Sequence, residues 1–249
     1  MTLPLNRKVR ILAEHRCGLI ALAKPCGVRS HPNTSQSDRH ALLQAPYDQK
    51  EQAYDTSKKG GVNREKIFLL NRLDAPTSGV ILMAKSFVVA EAVRVCFAEH
   101  QVEKHYWAWV KGNPKLKEQW WRESLEVKRS SHQVRTRIAG KTGKTAATRV
   151  RFLRLVNRGF ICSLLELIPE TGRTHQLRVQ CAHHGHPILG DKTYGNFALN
   201  RLIHKDFGVK RLMLHNSSIE LNFVVEGKQV RFRAECPLPS TFEAFPESA

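Results

Sequence analysis

Short, nearly unbroken apolar runs separated by polar turns dominate this chain and make strands its main element. Residues 18–24 (GLIALAK), 67–70 and 80–84 are dense in branched aliphatics and too short for helices, so each reads as a buried strand. Residues 87–100 change period: Val89, Val93 and Phe97 recur every four positions behind Ser86, which predicts a helix with a serine cap. Residues 105–111 return to strand. Residues 145–156 and 160–168 read as two strands joined by the Asn157-Arg158-Gly159 turn, and residues 212–225 and 229–236 as a hairpin across Glu226-Gly227-Lys228. A second helix is predicted over 174–185, capped by Thr174 and ended by Gly185. Residues 33–66 are polar, contain a Lys-Lys-Gly-Gly turn, and read as a loop with one helix. Strands and isolated helices without strict βαβ alternation predict an α+β fold, a mixed and largely antiparallel sheet with flanking helices.

The 249 residues suffice for one large domain with a substantial core. No apolar run reaches the roughly 18 residues of a membrane span, and the first residues lack an apolar signal core, so the expected location is the cytoplasm. Six cysteines are scattered without a CxxC pair, which favours reduced structural thiols. Cys181, His183, His184 and His186 invite a metal reading, but no companion cluster stands at finger-like spacing.

Charge narrows the partner. The net charge of +18 points to a polyanion, and residues 127–158 carry ten cations and no carboxylate. Within this track residues 127–144 contain the turn-rich strings Ser130-Ser131-His132 and Gly140-Lys141-Thr142-Gly143-Lys144, which suit a basic arm whose Arg135, Arg137, Lys141 and Lys144 grip phosphates.

Residues 67–86, IFLLNRLDAPTSGVILMAKS, place one carboxylate, Asp74, in a polar hinge between two apolar strands. Such an acid is either a turn cap or a nucleophile, and by itself the turn reading is the commoner one. A second string, ELIPETGRTHQLRVQCAHHGHPILGDKTYG over 166–195, and a third, Lys104-His105-Tyr106-Trp107-Ala108-Trp109-Val110, change that balance. With the Lys-Pro-x-Gly string at Lys24 to Gly27, these motifs in this order resemble RNA pseudouridine synthases of the RluA type, over about residues 11–245.

The resemblance implies a single catalytic domain on a bowed sheet, without the family's optional amino-terminal RNA-binding module. It implies an isomerase with no metal and no cofactor that converts uridines of structured RNA, ribosomal or transfer, to pseudouridine. No membrane and no obligatory protein partner is implied, and a monomer suffices. By resemblance Asp74 is the nucleophile, Arg173 the cation that pairs with it, and Tyr106 the aromatic that stacks on uracil and takes part in removing the C5 proton. Arg72 enters the space that the flipped base leaves, and Leu177 packs on the base's other side. Where the family commonly has His, this chain has Asn71. Two rival classes are an RNA-binding or ribosome-assembly factor that has lost turnover, and a metal-dependent nuclease using His183, His184 and His186.

Overall fold

The computed structural model describes residues 3–57, 65–115, 117–130, 134–140, 142–157 and 159–245. The chain divides into two compact units, residues 1–102 with 218–236, and residues 103–217 with 237–249.

The first unit opens with β1 (Arg10–Glu14) and β2 (Leu19–Lys24), an antiparallel pair. Two very short strands follow, β3 (Tyr47–Asp48) and β4 (Ala53–Asp55), then β5 (Lys66–Leu69) and β6 (Ser78–Ala84). All six residues of β2 and all seven of β6 are buried, which explains their continuous apolar composition. β6 pairs antiparallel with both β2 and β5.

The helix α1 (Phe87–Ala98) starts where expected, with the Ser86 hydroxyl accepting from the Val89 N–H at 3.3 Å. Val89 and Val93 are buried in the unit's core with Phe97 packed against it, as period four requires. The helix expected within 33–66 is not present among the described residues. Ala41, Leu42 and Leu43 are instead buried as one short run and Tyr47 and Tyr54 across the β3–β4 ladder, so side-chain burial organises the described part of this segment without helical hydrogen bonds. The Lys-Lys-Gly-Gly turn lies outside the described residues.

The second unit is a ladder of long strands: β7 (Glu103–Lys111), β8 (Glu118–Arg129), β9 (Val134–Ala139), β10 (Lys144–Asn157) and β11 (Ile161–Pro169). Their spatial order is β7-β11-β10-β8-β9, with each neighbouring pair antiparallel. The helix α2 (Gln176–His183) is shorter than the 174–185 expected. Its cap is His175 with φ 54° and no side-chain capping bond, while the Thr174 carbonyl accepts from the Thr136 hydroxyl at 2.8 Å. Gly185, with φ 78°, follows the helix end, a conformation in which a Cβ is strained. A further helix, α3 (Phe197–Phe207), carries an Asn196 cap that polarity at 196–207 had hidden.

β12 (Leu214–Val225) and β13 (Lys228–Glu235) form the expected hairpin. Glu226 and Gly227, with φ 51° and 72°, are its two turn residues, the positive pair of a type I′ connection. Residues 218–225 of β12 belong to the first unit and 214–217 to the second. The chain ends in α4 (Ser240–Ala244), whose Phe242 carbonyl accepts from the Trp109 indole at 3.1 Å. Among the described residues no helix is long and apolar enough to cross a membrane.

Candidate active site

In the first unit the hinge is a turn in which the Thr77 N–H donates to the Asp74 carbonyl at 3.0 Å, leaving the partly buried Asp74 carboxylate at its first position. The turn is held by the Lys-Pro-x-Gly loop. Gly27, at φ 87°, donates its N–H to the Ala75 carbonyl at 2.7 Å, a close approach in the left-handed region that favours glycine. Lys24 is 1 % exposed, and its ammonium donates to the carbonyls of Val28 at 2.6 Å, Ala75 at 3.1 Å and Pro25 at 3.2 Å. A buried cation is tolerable when several oxygens replace its water. Ser30 completes the clamp, its hydroxyl donating to the Leu73 carbonyl at 2.8 Å and accepting from the Leu73 N–H. The motif loop thus fixes the backbone on both sides of Asp74.

Arg72, beside Asp74, is exposed, and its guanidinium lies 3.5 Å from His31 Nε2. His31 stacks on Tyr47 at 4.9 Å, and Tyr47 meets Tyr54 edge-on. Asn71, the departure from the family pattern, is used by the fold: its Oδ1 accepts from the Leu82 N–H at 2.7 Å.

In the second unit Tyr106 occupies β7 opposite Leu167 of β11, 9 % exposed. Lys104, two positions earlier and therefore on the same face, is also buried. Burial pulls its amine down to about 8. Between that value and the roughly 10.4 of a free lysine the unfolded chain binds more protons than the folded one, so stability rises with pH across this window. Lys104→Met is expected to stabilise the protein at pH 7 by on the order of 3 kcal/mol, with the gain shrinking toward pH 10. Urea unfolding of both proteins at the two pH values measures this, and a gain independent of pH would refute it.

The Thr-Gly-Arg-Thr-His-Gln string is organised by its glutamine. Gln176 Oε1 accepts from the Arg173 N–H at 3.0 Å and the Thr171 hydroxyl at 2.7 Å, while Nε2 donates to the Ala147 carbonyl and Thr148 hydroxyl. Arg173 is partly exposed, with Nε on the Thr145 carbonyl at 3.0 Å. Leu177 is buried in the first turn of α2.

Motif reading passed over Arg178. Its guanidinium is buried and forks onto the wholly buried Asp191 at 2.7 and 2.8 Å, 5.2 Å from the Tyr194 ring. Burial pushes the Asp191 carboxyl up, but the Arg178 bonds and charge and the N–H groups of Thr193 and Tyr194 outweigh it and hold the group below its usual value. No local signal marked the pair, since Gln176 and Gln180 flank Arg178 and Lys192 and Thr193 follow Asp191.

The described part of the 127–144 segment carries the end of β8 paired with β9 and the start of β10, tied at Thr136 to both the Tyr194 hydroxyl and the Thr174 carbonyl. Its charge is less one-sided in space than in sequence. Arg137 binds Glu126 through Nε at 3.0 Å and Nη2 at 2.8 Å, and Arg151 contacts Glu118 and Glu166 across strands. Lys128, Arg129, Arg135 and Lys144 make no ion pair among the described residues. Lys141, His132 and Arg158 lie outside those residues.

The metal-reading residues are engaged in the fold. Cys181 is buried, His184 bonds Glu123 at 2.7 Å while stacked 4.3 Å from Trp121, and His186 bonds the Lys111 carbonyl.

The family described as RNA pseudouridylate synthase matches residues 18–183. The tRNA pseudouridine synthase C of Vibrio cholerae serotype O1 is 35 % identical over 224 residues, 83 % of this chain and 82 % of that protein. The ribosomal large subunit pseudouridine synthase D of Zymomonas mobilis is 32 % identical over 222 residues, 88 % of this chain and 67 % of that protein. Among solved structures, human RNA pseudouridylate synthase domain containing 1 has the same fold, with a TM-score of 0.68 at 24 % identity, covering 98 % of this chain and 90 % of that one.

Proposed function

The chain belongs to the RNA pseudouridylate synthase family, of the RluA type, and on that premise we propose that it isomerises uridine in structured RNA through a nucleophilic Asp74 acting on a flipped-out base. The observation that carries this reading is the clamp on the Asp74 turn, in which Lys24, Gly27 and Ser30 hold the chain on both sides of the carboxylate. A turn-capping aspartate needs no such support. A carboxylate that must meet a sugar carbon in one geometry does.

The reaction breaks the N1–C1′ bond, turns the uracil, joins C5 to C1′ and moves the C5 proton away, while N1 gains a proton, so composition is unchanged. Asp74 bonds to the sugar carbon when N1 leaves. Tyr106 stacks on the uracil and takes part in removing the C5 proton. A phenol free in water titrates near 10, so that work depends on its surroundings. Arg173 supplies the cation that favours the ionised acid, Leu177 covers the base, and Arg72 fills the space the nucleotide vacates, its planar guanidinium suited to stacking. A second assignment for the cation rests on the burial of Arg178, which shields a charge from solvent better than the position of Arg173.

Transfer RNA is the substrate to test first, because a relative at 35 % identity is named for it, with large-subunit ribosomal RNA second. Pseudouridine mapping of both RNAs from cells with and without the gene, repeated with purified protein on unmodified transcripts, tests the reading. Identical maps with no activity in vitro leave the inactive RNA-binding factor in its place.

The basic arm serves affinity. Replacing Arg135, Arg137, Lys141 and Lys144 by alanine is expected to weaken RNA binding and to flatten its salt dependence by roughly 0.7 to 0.9 in logarithmic slope per lost phosphate contact. Arg137 contributes least of the described three, since Glu126 already neutralises it. Titrations at several salt concentrations measure this, and parental affinity with a parental slope would place the RNA elsewhere.

A further inference from the structure

Among the described residues three buried side-chain polar atoms lack any hydrogen-bond partner: the Trp121 indole N–H and both amide atoms of Asn216. Asn216 is 0 % exposed. Leaving both ends of a sealed amide unpaired is costly, and such orphans in a folded protein call for a reason.

Its place in the sheet supplies one. β12 neighbours β7, and the Trp109 N–H donates to the Met213 carbonyl at 3.1 Å while the Ser217 hydroxyl donates to the His105 carbonyl at 3.2 Å. These two contacts define an antiparallel register in which Asn216 stands directly opposite Tyr106. Opposed residues share a face with Cβ atoms about 5 Å apart. Leu167 flanks Tyr106 on the other side, so Asn216, Tyr106 and Leu167 form one row across three strands. An unpartnered donor and acceptor thus stand next to the ring assigned to the uracil.

We propose that Asn216 holds the target uracil by its polar edge, an inference that rests on the function proposed above. Uracil presents N3–H between two carbonyls, O2 and O4. The amide Oδ1 accepts from N3–H and Nδ2 donates to the neighbouring carbonyl, a bidentate pairing of the kind asparagine makes with bases. The edge is symmetric about the N3–C6 axis. Turning the detached base about that axis exchanges N1 for C5 and O2 for O4 and leaves N3–H in place. The same amide therefore makes the same two hydrogen bonds before and after the turn, keeping the base in register while its glycosidic bond is absent. The amide is sealed in the free protein, so the pairing forms when the base enters and the row opens to it.

The test uses the RNA on which the parent is active, with either uridine or N3-methyluridine at the target position. Asn216→Leu keeps the branched shape and removes the orphan. It is expected to raise Tm, to lower kcat/KM on the uridine RNA by about 10- to 100-fold, and to collapse the preference for uridine over N3-methyluridine. A merely structural asparagine would not change that preference. Should Asn216→Leu fail to fold, Asn216→Ala, which fits wherever asparagine does, is measured in the same way. Parental kcat/KM with an unchanged preference overturns the inference alone. A fall in Tm with an unchanged preference assigns the amide to a buried water and overturns it too. A parent inactive on every RNA overturns the proposed function and this inference with it.

Discussion

Asp74→Asn is expected to abolish pseudouridine formation, by at least about four orders of magnitude in kcat, while RNA affinity stays within a factor of about two. The substitution keeps the size of the side chain and its place at the head of the turn, where the Thr77 N–H binds the backbone carbonyl. The clamp from Lys24, Gly27 and Ser30 also acts on neighbouring main-chain atoms and survives. What is lost is an anionic oxygen able to bond to the sugar carbon, and an amide is a far poorer nucleophile. Tritium release from [5-³H]uridine-labelled RNA measures turnover, and filter binding measures affinity. Undiminished release would remove Asp74 from the chemistry. A parallel fall in affinity would make the residue part of the binding surface.

The largest expected effect on stability is at Asp191. Its carboxylate accepts two bonds from Arg178 and two more from the Thr193 and Tyr194 N–H groups at 2.8 and 3.0 Å, all in a buried setting. Asp191→Asn takes the forked carboxylate away from the buried Arg178 guanidinium, and breaking this buried ion pair is expected to cost about 3 to 5 kcal/mol. At the roughly 2 to 4 °C per kcal/mol of a protein this size, Tm falls by about 10 °C. Replacing both partners, with Arg178→Met added, is expected to recover much of the loss, because the buried cation is then removed together with the carboxylate that forks onto it. The sign with pH follows from the lowered carboxyl. The stability it contributes is present above the free-aspartate value of about 3.9 and is lost as pH falls through the lower folded value. Thermal melts of the single and double variants between pH 3 and 7 measure all of this, and a single variant as stable as the parent at pH 7 would refute it.

The elements were legible where burial is total or periodic. β2 and β6 are buried at every position, so composition alone marks them, and α1 announces itself through Ser86 and the four-residue spacing of Val89, Val93 and Phe97. The 33–66 segment was not legible, since the burial in its described part comes from one short run, Ala41 to Leu43, and from Tyr47 and Tyr54 in a polar background, with no period to read. α2 was placed but over-extended, because Thr174 looks like a cap in sequence while His175, at φ 54°, holds the capping position in space.

For the candidate site the same division holds. Sequence by itself determined the family, the fold class, and the identity of Asp74, Tyr106 and the Thr-Gly-Arg-Thr-His-Gln string as the places to look, because each is a local string whose order along the chain carries the information. Only the tertiary structure decided what surrounds them. It shows that Lys24 and Gly27 grip the turn at Ala75, that Glu126 neutralises Arg137 within an apparently unbroken basic track, that Arg178 is stapled to Asp191, and that the buried Asn216 has its amide unpaired. The reason is physical: hydrogen bonds, ion pairs and orphaned groups depend on which residues a strand register or a close turn brings within about 3 Å, and register is set by the packing of whole faces rather than by the spacing of residues along one segment.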